Sequence, residues 1–341
     1  MRARTLLRCI ILLATVVVPA RLSAEPVEDF YKGKQVRLIV GSSAGDGYDL
    51  WSRLISRHMA RHIPGHPGIV VQNMPGAGTL AASNHLFTAA PKDGTVFGSF
   101  SRSLPSQAVL NRPNIRFDPR QFGWLGSPET VNRVCAVSAT SKAKTIEDVF
   151  TQEILVGGIG AGMVPTFLPT MLNKLVGTKF RVVEGYGSTG AVFLAIERGE
   201  VDGICMASST LLGPRYDLIE KGALKILFSM EAKPMALLPD VPTMVARIKT
   251  DDHRQIVSFI NAALEYGRPF AAPPGVPPER LGALQAAFRA TLQDAEFLVE
   301  AKQMKYQITY TSPDELKELT ERMYATPRAI IEQAAAMMPN E

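Results

Sequence analysis

The chain has 341 residues, with 37 Lys and Arg against 32 Asp and Glu, which gives a formal net charge of +5. Four of the arginines and no acidic residue precede residue 25, so the remainder has 33 basic and 32 acidic residues and a net charge of +1. A nucleic-acid-binding protein typically has a clustered basic face; this sequence has no Lys/Arg block and no basic stripe among aromatic residues, which excludes that class.

The N-terminal segment has the pattern of a secretory signal peptide. Arginines precede the apolar run Cys9–Ala20, and the small residues of Leu22-Ser23-Ala24 offer a cleavage site before Glu25. A spanning helix needs roughly 18 consecutive apolar residues, more than this run or any later one supplies. An uncleaved membrane anchor is the alternative. The pattern therefore predicts export to the periplasm with residues 1–24 removed, which leaves 317 residues, enough for two lobes of ordinary domain size.

Short β-branched runs alternate with helical patterns over the first two thirds of the chain. Most runs are nearly continuous in apolar residues, as expected of strands buried on both faces. The predicted strands are Val36–Val40, Ile69–Gln72, Val96–Phe100, Arg133–Val137, Ile154–Gly157, Phe180–Val183, Val201–Cys205 and Lys225–Phe228. The alternation predicts an α/β fold with mainly parallel sheets flanked by helices. Cys135 and Cys205 both lie in predicted strands, where a disulfide and two buried free thiols are both open interpretations.

The last third of the chain differs in composition. Five prolines between Pro269 and Pro278 crowd around Gly275, which predicts a rigid extended connection rather than a helix. Two long helical patterns follow at about 278–304 and 313–338. The second opens with Ser312-Pro313-Asp314-Glu315, the pattern of a capping box with proline at the first helical position. We expect these helices to pack back onto the first lobe.

Three glycine-rich turns each follow a predicted strand and precede a helix. We name them turn one (Gly41–Gly47), turn two (Asn73–Thr79) and turn three (Gly158–Gly162). Glycine lets a ligand approach the backbone closely, and a helix N-terminus presents N–H donors and a partial positive charge to anions. In open α/β sheets the ligand crevice lies at the carboxyl ends of the strands. Any single turn is explained as a tight connection, but the three together favour one shared carboxylate site.

Several segments in order carry a family resemblance. They are Val36–Val40 with turn one, Gln72–Gly78, Ala90–Gly94, Gly185–Gly190, Arg198–Gly203, Leu238–Thr243 and Ala272–Pro277. Together they resemble the substrate-binding component of tripartite tricarboxylate transporters, the TctC or Bug family, over essentially the whole mature chain. The Asn-Met-Pro-Gly-Ala-Gly segment of turn two is the most specific of these motifs.

The resemblance implies a type II periplasmic binding protein fold, in which two lobes, each a mainly parallel sheet flanked by helices, close on a ligand. Lobe one would comprise 25–124 and 236–341, and lobe two 125–235, with linkers near Trp124 and Lys233. It further implies a monomeric receptor without enzymatic activity or cofactor, which delivers a small carboxylate to a two-subunit membrane permease.

In the family that this chain resembles, backbone amides and waters hold the ligand carboxylate. Carried onto matching positions, the implied ligand-binding residues are Ser42, Ser43, Ala44, Asp46 and Gly47 in turn one, Asn73, Pro75, Gly76, Ala77, Gly78 and Thr79 in turn two, and Gly160, Ala161, Gly162, Tyr186, Gly187 and Ser188 in lobe two.

The sequence also departs from the family pattern. Asp46 stands in turn one, where it is expected to cap the following helix and to repel a carboxylate. Either the ligand has a donor or a cation facing Asp46, or its carboxylate rests mainly on turn two. After turn three, Met163, Val164 and Pro165 suggest an apolar wall for an aromatic or alkyl acid. Arg102 follows a predicted strand, where it either pairs with a second carboxylate or faces solvent from a loop.

The strongest enzyme interpretation is a secreted serine hydrolase that uses Ser43, because Gly41–Gly45 matches GxSxG between a strand and a helix. However, the motif follows the first strand of the mature chain, before an α/β-hydrolase has built its sheet. The one distant histidine, His253, lies in a charged stretch that resembles a solvated loop. A short motif without its context is a weak signal.

Metal and nucleotide sites are also weakly indicated. His58, His62 and His66 are spaced by four, as in some zinc sites, but no acidic or cysteine ligand is close in sequence. Their alternation with arginines favours a basic, solvated helix face over a metal-uptake protein. Turn three lacks the last glycine of a dinucleotide fingerprint, and no nucleotide cofactor is predicted.

Overall fold

The computed structural model describes residues 26–159, 163–212, 215–231, 234–235 and 238–337. The predicted signal peptide, Lys233, and Gly160, Ala161 and Gly162 of turn three lie outside these ranges. The strands are β1 (Gln35–Val40), β2 (Gly68–Asn73), β3 (Val96–Ser99), β4 (Gly123–Gly126), β5 (Arg133–Ser138), β6 (Ile154–Gly157), β7 (Phe180–Val183), β8 (Gly203–Ala207), β9 (Leu224–Ser229) and β10 (Phe270–Ala272).

The helices flank these strands. They are α1 (Val27–Tyr31), α2 (Gly47–Met59), α3 (Leu80–Thr88), α4 (Leu104–Val109), α5 (Asp148–Thr151), α6 (Val164–Val176), α7 (Thr189–Glu197), α8 (Ser208–Leu212), α9 (Tyr216–Glu220), α10 (Asp251–Glu265), α11 (Pro278–Thr291), α12 (Ala295–Gln303), α13 (Pro313–Ala325) and α14 (Arg328–Met337). None of the described helices combines the length and the apolar composition that crossing a bilayer requires.

Sheet one contains five strands in the order β2–β1–β3–β10–β4. β1 pairs in parallel with β2 and β3, and β10 is antiparallel to both of its neighbours, so four of the five strands share one direction. Val40 lies opposite both Asn73 and Ser99 in this register. The carboxyl ends of β1, β2 and β3 therefore meet at one edge of the sheet.

Sheet two also has five strands, in the order β7–β6–β8–β5–β9. β6 is parallel to β7 and β8, whereas β5 is antiparallel to both β8 and β9. Two sheets of mainly parallel strands flanked by helices match the predicted α/β fold class. The single reversed strand in each sheet is the part that the alternation of strands and helices did not reveal.

The end of the chain departs from prediction in three places. The Pro-rich stretch contains the unpredicted strand β10 between Pro269 and Pro273; far from the end of the chain, β4 was also not predicted. Each of the two long helical patterns is a pair of helices, α11 with α12 and α13 with α14. The charged stretch around His253 is no loop, because Thr250 caps α10 there by accepting a hydrogen bond from the His253 N–H. The Ser312–Glu315 capping box is confirmed.

The helices that follow β10 pack on sheet one, as expected. α11 and α13 contact β4, and α11 and α12 contact α2. Phe270 of β10 packs its ring against Phe288 of α11 at 5.2 Å between centroids, and Trp51 of α2 stacks on Tyr306 at 4.2 Å. These contacts bury the aromatic side of α2 and so fix the direction in which its N-terminus points.

Cys135 and Cys205 form a disulfide across β5 and β8. The two residues are directly opposed in the antiparallel register, with 4.0 Å between their Cα atoms, and both are buried in sheet two. The pairing decides between the two interpretations that the sequence left open. It links positions 70 residues apart in the chain.

We expect the disulfide to stabilise sheet two. Cross-linking a loop of this length typically contributes about 2–4 kcal/mol to the free energy of unfolding. Dithiothreitol should therefore lower the melting temperature of the wild-type protein and leave that of a Cys135→Ala/Cys205→Ala variant unchanged. Two titratable thiols in the untreated denatured protein would contradict the bond.

Candidate functional site

Turns one and two leave the same edge of sheet one. The Gly41 N–H donates to the Ser99 carbonyl at 2.9 Å, and the Met74 N–H donates to the Val40 carbonyl at 2.8 Å. A Cβ atom added to Gly41 would stand 2.5 Å from the Cβ of Thr79. Glycine is therefore required where turn one passes the end of turn two.

Asp46 caps α2, as predicted. Its side chain accepts hydrogen bonds from the N–H groups of Tyr48 and Asp49, and Ser42 Oγ donates to it at 2.6 Å. In the part of the chain that the structure describes, the N–H groups of Ser43, Ala44 and Gly47 have no acceptor. Turn one thus keeps free N–H donors, the Gly47 N–H among them, beside a helix terminus whose Tyr48 and Asp49 N–H groups are already bound to Asp46.

A buried polar network fastens turn one to turn two. Asp49 is 1% exposed and accepts hydrogen bonds from Arg53 Nε at 2.9 Å, the Gly45 N–H at 2.7 Å and Asn73 Nδ2 at 2.8 Å. Asn73 Nδ2 also donates to the Ser42 carbonyl, and Arg53 Nη2 donates to Asn73 Oδ1. The Asn73 side chain is therefore bound within the protein and orients the two turns.

The network also sets the charge of Asp49. Burial by itself raises the pKa of this carboxyl group, but the hydrogen bonds from Arg53, the Gly45 N–H and Asn73 outweigh burial, and the pKa lies below its ordinary value. Asp49 is therefore ionised at neutral pH.

Turn two has a strained backbone. Consecutive φ values are positive at Gly76 (149°), Ala77 (45°), Gly78 (60°) and Thr79 (78°), although a side chain disfavours this region at Ala77 and Thr79. Thr79 is held by the Ser101 N–H, which donates to its Oγ1 at 2.8 Å. The residues from Pro75 to Gly78 are exposed, and the N–H groups of Ala77 and Gly78 have no acceptor among the described residues. Strain of this kind persists where surrounding contacts enforce it, often at binding sites.

Arg268 stands beside turn one and was not predicted. A Cβ atom added to Gly47 would lie 2.9 Å from Arg268 Nη1, and the guanidinium packs over the Tyr48 ring at 5.0 Å. Arg268 Nε donates to Glu129 Oε1 at 2.9 Å, and neither terminal nitrogen has a hydrogen-bond partner among the described residues. Arg268 lies two residues before the unpredicted β10, and no sequence motif pointed to it.

Arg102 lies at the same edge of sheet one. Its N–H donates to the Tyr48 hydroxyl at 3.1 Å, which ties the end of β3 to the first turn of α2. The side chain is partly exposed and forms no ion pair within the described ranges. The structure thus brings together turn one, turn two and Arg102.

The predicted residues of sheet two lie at its carboxyl edge. Ser188 caps α7 by accepting a hydrogen bond from the Ala191 N–H at 3.2 Å, Gly187 is exposed, and Tyr186 packs against the core of sheet two. No hydrogen bond joins these three residues to turn one or turn two in the described ranges. Met163, at the start of α6, is 54% exposed.

A cavity of about 720 Å³ opens between residues of both sheets. Trp51, Arg268 and Tyr306 line it on the side of sheet one, and Asn132 and Ser208 on the side of sheet two. No residue of turn one or turn two lines this cavity, so Arg268 is the group that connects it to turn one.

The predicted solvated histidine face is wrong. His58 is buried with Nε2 2.7 Å from Glu300, and His62 lies 2.9 Å from Asp294, both acids belonging to α12 or its cap. His58, Asp294 and Glu296 are close enough to hold a metal ion, but the Arg61 guanidinium contacts all three. The cluster is an ion-pair network in which arginine already supplies the positive charge.

The hydrolase interpretation receives no support from the structure. Ser43 is exposed in the turn, and no described histidine forms a hydrogen bond with its hydroxyl group. A serine nucleophile requires a base within hydrogen-bond reach.

We expect Asp49→Asn to lower the free energy of unfolding by about 1–3 kcal/mol at pH 7, because it removes a charge from buried, hydrogen-bonded surroundings. A folded-state pKa below the unfolded value gives stability that is present above the unfolded pKa of about 4 and is lost as pH falls through the folded one. Urea denaturation at several pH values should thus give wild-type and variant curves that converge under acid conditions. The exposed ion pair of Asp217 with Lys221 offers a control, Asp217→Asn, with an expected change within about 0.5 kcal/mol. Equal losses in the two variants would contradict the role of Asp49.

Comparison with known proteins gives the family. The model of the tripartite tricarboxylate transporter family receptor matches residues 52–335. Among solved structures, a TctC solute-binding protein from Polaromonas aligns with a TM-score of 0.70 and 19% identity over 89% of this chain and 99% of that one. A protein of Rhodopseudomonas palustris with bound adipate aligns with a TM-score of 0.55 and 18% identity over 89% of this chain and 98% of that one.

MatC from Rhodopseudomonas palustris, with bound malate, aligns with a TM-score of 0.52 and 18% identity over 88% of this chain and 99% of that one. At these identities the structural likenesses establish the periplasmic binding protein fold, and the family match extends over most of the chain. The protein therefore belongs to the tripartite tricarboxylate transporter receptor family, a family of solute-binding proteins.

Proposed function

We propose that the protein captures a small carboxylate-bearing metabolite between its two sheets and delivers it to a two-subunit membrane permease of the tripartite tricarboxylate type. Membership of a receptor family supports binding and delivery over catalysis. The malate and adipate held by two structural neighbours support a carboxylate ligand. In this proposal the protein acts in the periplasm as a monomer, after loss of residues 1–24 and without a cofactor.

The observation that carries the proposal is a group of free N–H donors beside a guanidinium. The Gly47 N–H stands at the N-terminus of α2, where the helix dipole favours negative charge, and Arg268 lies against the same glycine. A cation at this end of a helix is unfavourable by itself, and Glu129 compensates it only at Nε. A bound carboxylate would satisfy both the amides and the remaining guanidinium nitrogens.

The position of Asp46 favours one of the two carboxylate placements that the sequence left open. Its carboxylate already uses the Tyr48 and Asp49 N–H groups and repels a second anion at that point. Among the residues that the structure describes, no carboxylate accepts a hydrogen bond from the Ala77 or Gly78 N–H group of turn two. We assign the ligand carboxylate mainly to turn two, with Ser43, Ala44, Gly47 and Arg268 at its side.

The other proposed residues act less directly. Asn73 and Asp46 orient the turns, and Ser42, Pro75, Gly76 and Thr79 shape them. Tyr186, Gly187 and Ser188, with Gly160, Ala161 and Gly162, would cover the ligand from sheet two. The exposed Met163 beside them suits an alkyl or aromatic chain, and the cavity next to Arg268 offers that chain room.

The lobes of this proposal follow the sheets. Trp124 is buried in β4 of sheet one. We therefore propose that the chain first passes from lobe one to lobe two between Gly126 and Arg133 rather than near residue 124. Thr243 still pairs with Ser229 of sheet two, whereas α10 packs on α4, α13 and α14. We therefore assign the second crossing to the segment between Thr243 and Asp251. Closure would bend these two segments.

Thermal shift measurements against mono-, di- and tricarboxylates test the proposal. A ligand at 100 times its Kd stabilises a protein by about 2.7 kcal/mol, which for a chain of this size is a rise of roughly 4 °C in melting temperature. We expect such a rise with at least one acid and none with its amide or methyl ester. A panel in which no acid changes the melting temperature would overturn the function.

Gly41→Ala tests the contact between the turns. Its Cβ meets the backbone and side chain of Thr79, so the turns must separate, at a cost of about 1–3 kcal/mol in stability. We expect the affinity for the best acid of the panel to fall by about tenfold or more, equal to 1.4 kcal/mol. Gly282→Ala in α11 is the matched control, because its Cβ meets no atom within 4 Å. Isothermal titration calorimetry that gives one affinity for both variants would refute the arrangement.

A further inference from the structure

We propose that Arg133, with Arg102, forms a second anion subsite that selects ligands carrying two acidic groups. The proposal rests on the proposed function and specifies its ligand class. Neither a sequence motif nor the family resemblance indicated Arg133; its position in the structure does.

Arg133 begins β5 at the carboxyl edge of sheet two. Its Cα is paired with that of Ala207, the last residue of β8, and β8 runs parallel to β6, whose end leads into turn three. Side chains alternate along a strand, so Arg133 shares a face with Cys135, which packs in the same core cluster as Phe167 of α6. The side chain therefore stands where the loops of sheet two meet.

The surroundings fix the guanidinium but do not neutralise it. Nη1 donates to Asn261 Oδ1 at 3.0 Å, and Asn261 Nδ2 donates to the Met230 carbonyl at 2.8 Å, which orients the amide oxygen toward Arg133. The Phe167 ring lies 5.6 Å from the guanidinium carbon. Nε is covered by protein and has no hydrogen-bond partner, and Nη2 donates to no described residue, so two nitrogens of a group suited to carboxylates have unmet donors.

The charge of Arg133 is uncompensated among the described residues. Arg53, Arg61 and Arg268 each pair with a carboxylate, whereas Arg133 forms no ion pair. Burial and, to a smaller extent, the charge of Arg102 together lower the pKa of Arg133 to about 10, with no acidic group acting in the opposite direction. A buried charge without a partner is costly, and such groups are normally paired.

The two arginines come from different sheets. Arg102 follows β3 of sheet one and its N–H is tied to Tyr48, next to Gly47 and Arg268; Arg133 begins β5 of sheet two. The charge of Arg102 acts on Arg133, so the two cations repel each other unless an anion lies between them. A ligand whose first carboxylate is on turn two and whose second acidic group reaches this pair would relieve that repulsion.

The test compares each dicarboxylate with the monocarboxylate of equal length, adipate with hexanoate and succinate with butyrate, by isothermal titration calorimetry. We expect at least one dicarboxylate to bind wild-type protein tenfold or more tightly than its partner. Arg133→Gln should bring the ratio of dicarboxylate to monocarboxylate affinity close to one, and Arg102→Gln should reduce this ratio. Arg198→Gln, at an exposed arginine far from this edge, is the matched control and should keep the wild-type ratio.

If Arg133 had only a structural role, its substitution would change the melting temperature and not the ratio of affinities. Loss of its uncompensated charge should leave the melting temperature of ligand-free Arg133→Gln unchanged or raised; a fall by several degrees with an unchanged ratio would overturn the subsite. If Arg133→Gln does not fold, Arg102→Gln carries the test, and a wild-type ratio in that variant overturns the pair. If wild-type protein binds each dicarboxylate only as tightly as the monocarboxylate of equal length, the subsite is overturned while the proposed function remains intact. Should no carboxylate bind wild-type protein, the proposed function itself fails.

Discussion

The ionised carboxylate of Asp49 is the interaction on which the geometry of the site depends. It lies in the first turn of α2, and its partners come from turn one, from α2 itself and from the end of β2. Backbone amides bind an anion well only when they are held toward it, since ordering them at the moment of binding costs conformational entropy. Because Asp49 and Asn73 fix Gly45 and the Ser42 carbonyl together, the free amides beside them are ordered before a ligand arrives.

The strain of turn two follows from the same constraint. Ala77 and Thr79 adopt left-handed conformations that a free loop would avoid, and the Ser101 N–H and the close passage of Gly41 hold Thr79 there. The register of β1 with β2 and β3 is what brings Ser101, Gly41 and Asn73 to one edge. Strand pairing, buried hydrogen bonds and a strained turn thus act together to expose two amides.

Much of this arrangement is readable in the sequence, because strands, helix caps and glycine turns are local. The eight apolar runs correspond to strands, and Asp46 and Ser312 cap the predicted helices. β10 was not predicted because a three-residue strand between prolines is too short to show a periodic pattern. His58 and His62 seemed to have no partners because Glu300 and Asp294 are more than 200 residues away in the chain. Only the spacing of Asp49 and Arg53, four apart on a helix, was a local signal of the polar network.

In the proposed function, the backbone amides of turns one and two and the side chain of Arg133 would contribute differently to closure of the lobes. Amides of turns one and two belong to sheet one and are equally available whether the lobes are apart or together, so they add affinity without favouring either state. A ligand favours the closed state only through contacts that exist there and not in the open state. Those contacts must come from sheet two, where Arg133 is charged and Ser188, Gly187 and Met163 are not. Since two cations that approach each other oppose closure until an anion separates them, the arginine pair makes closure itself depend on the charge of the ligand.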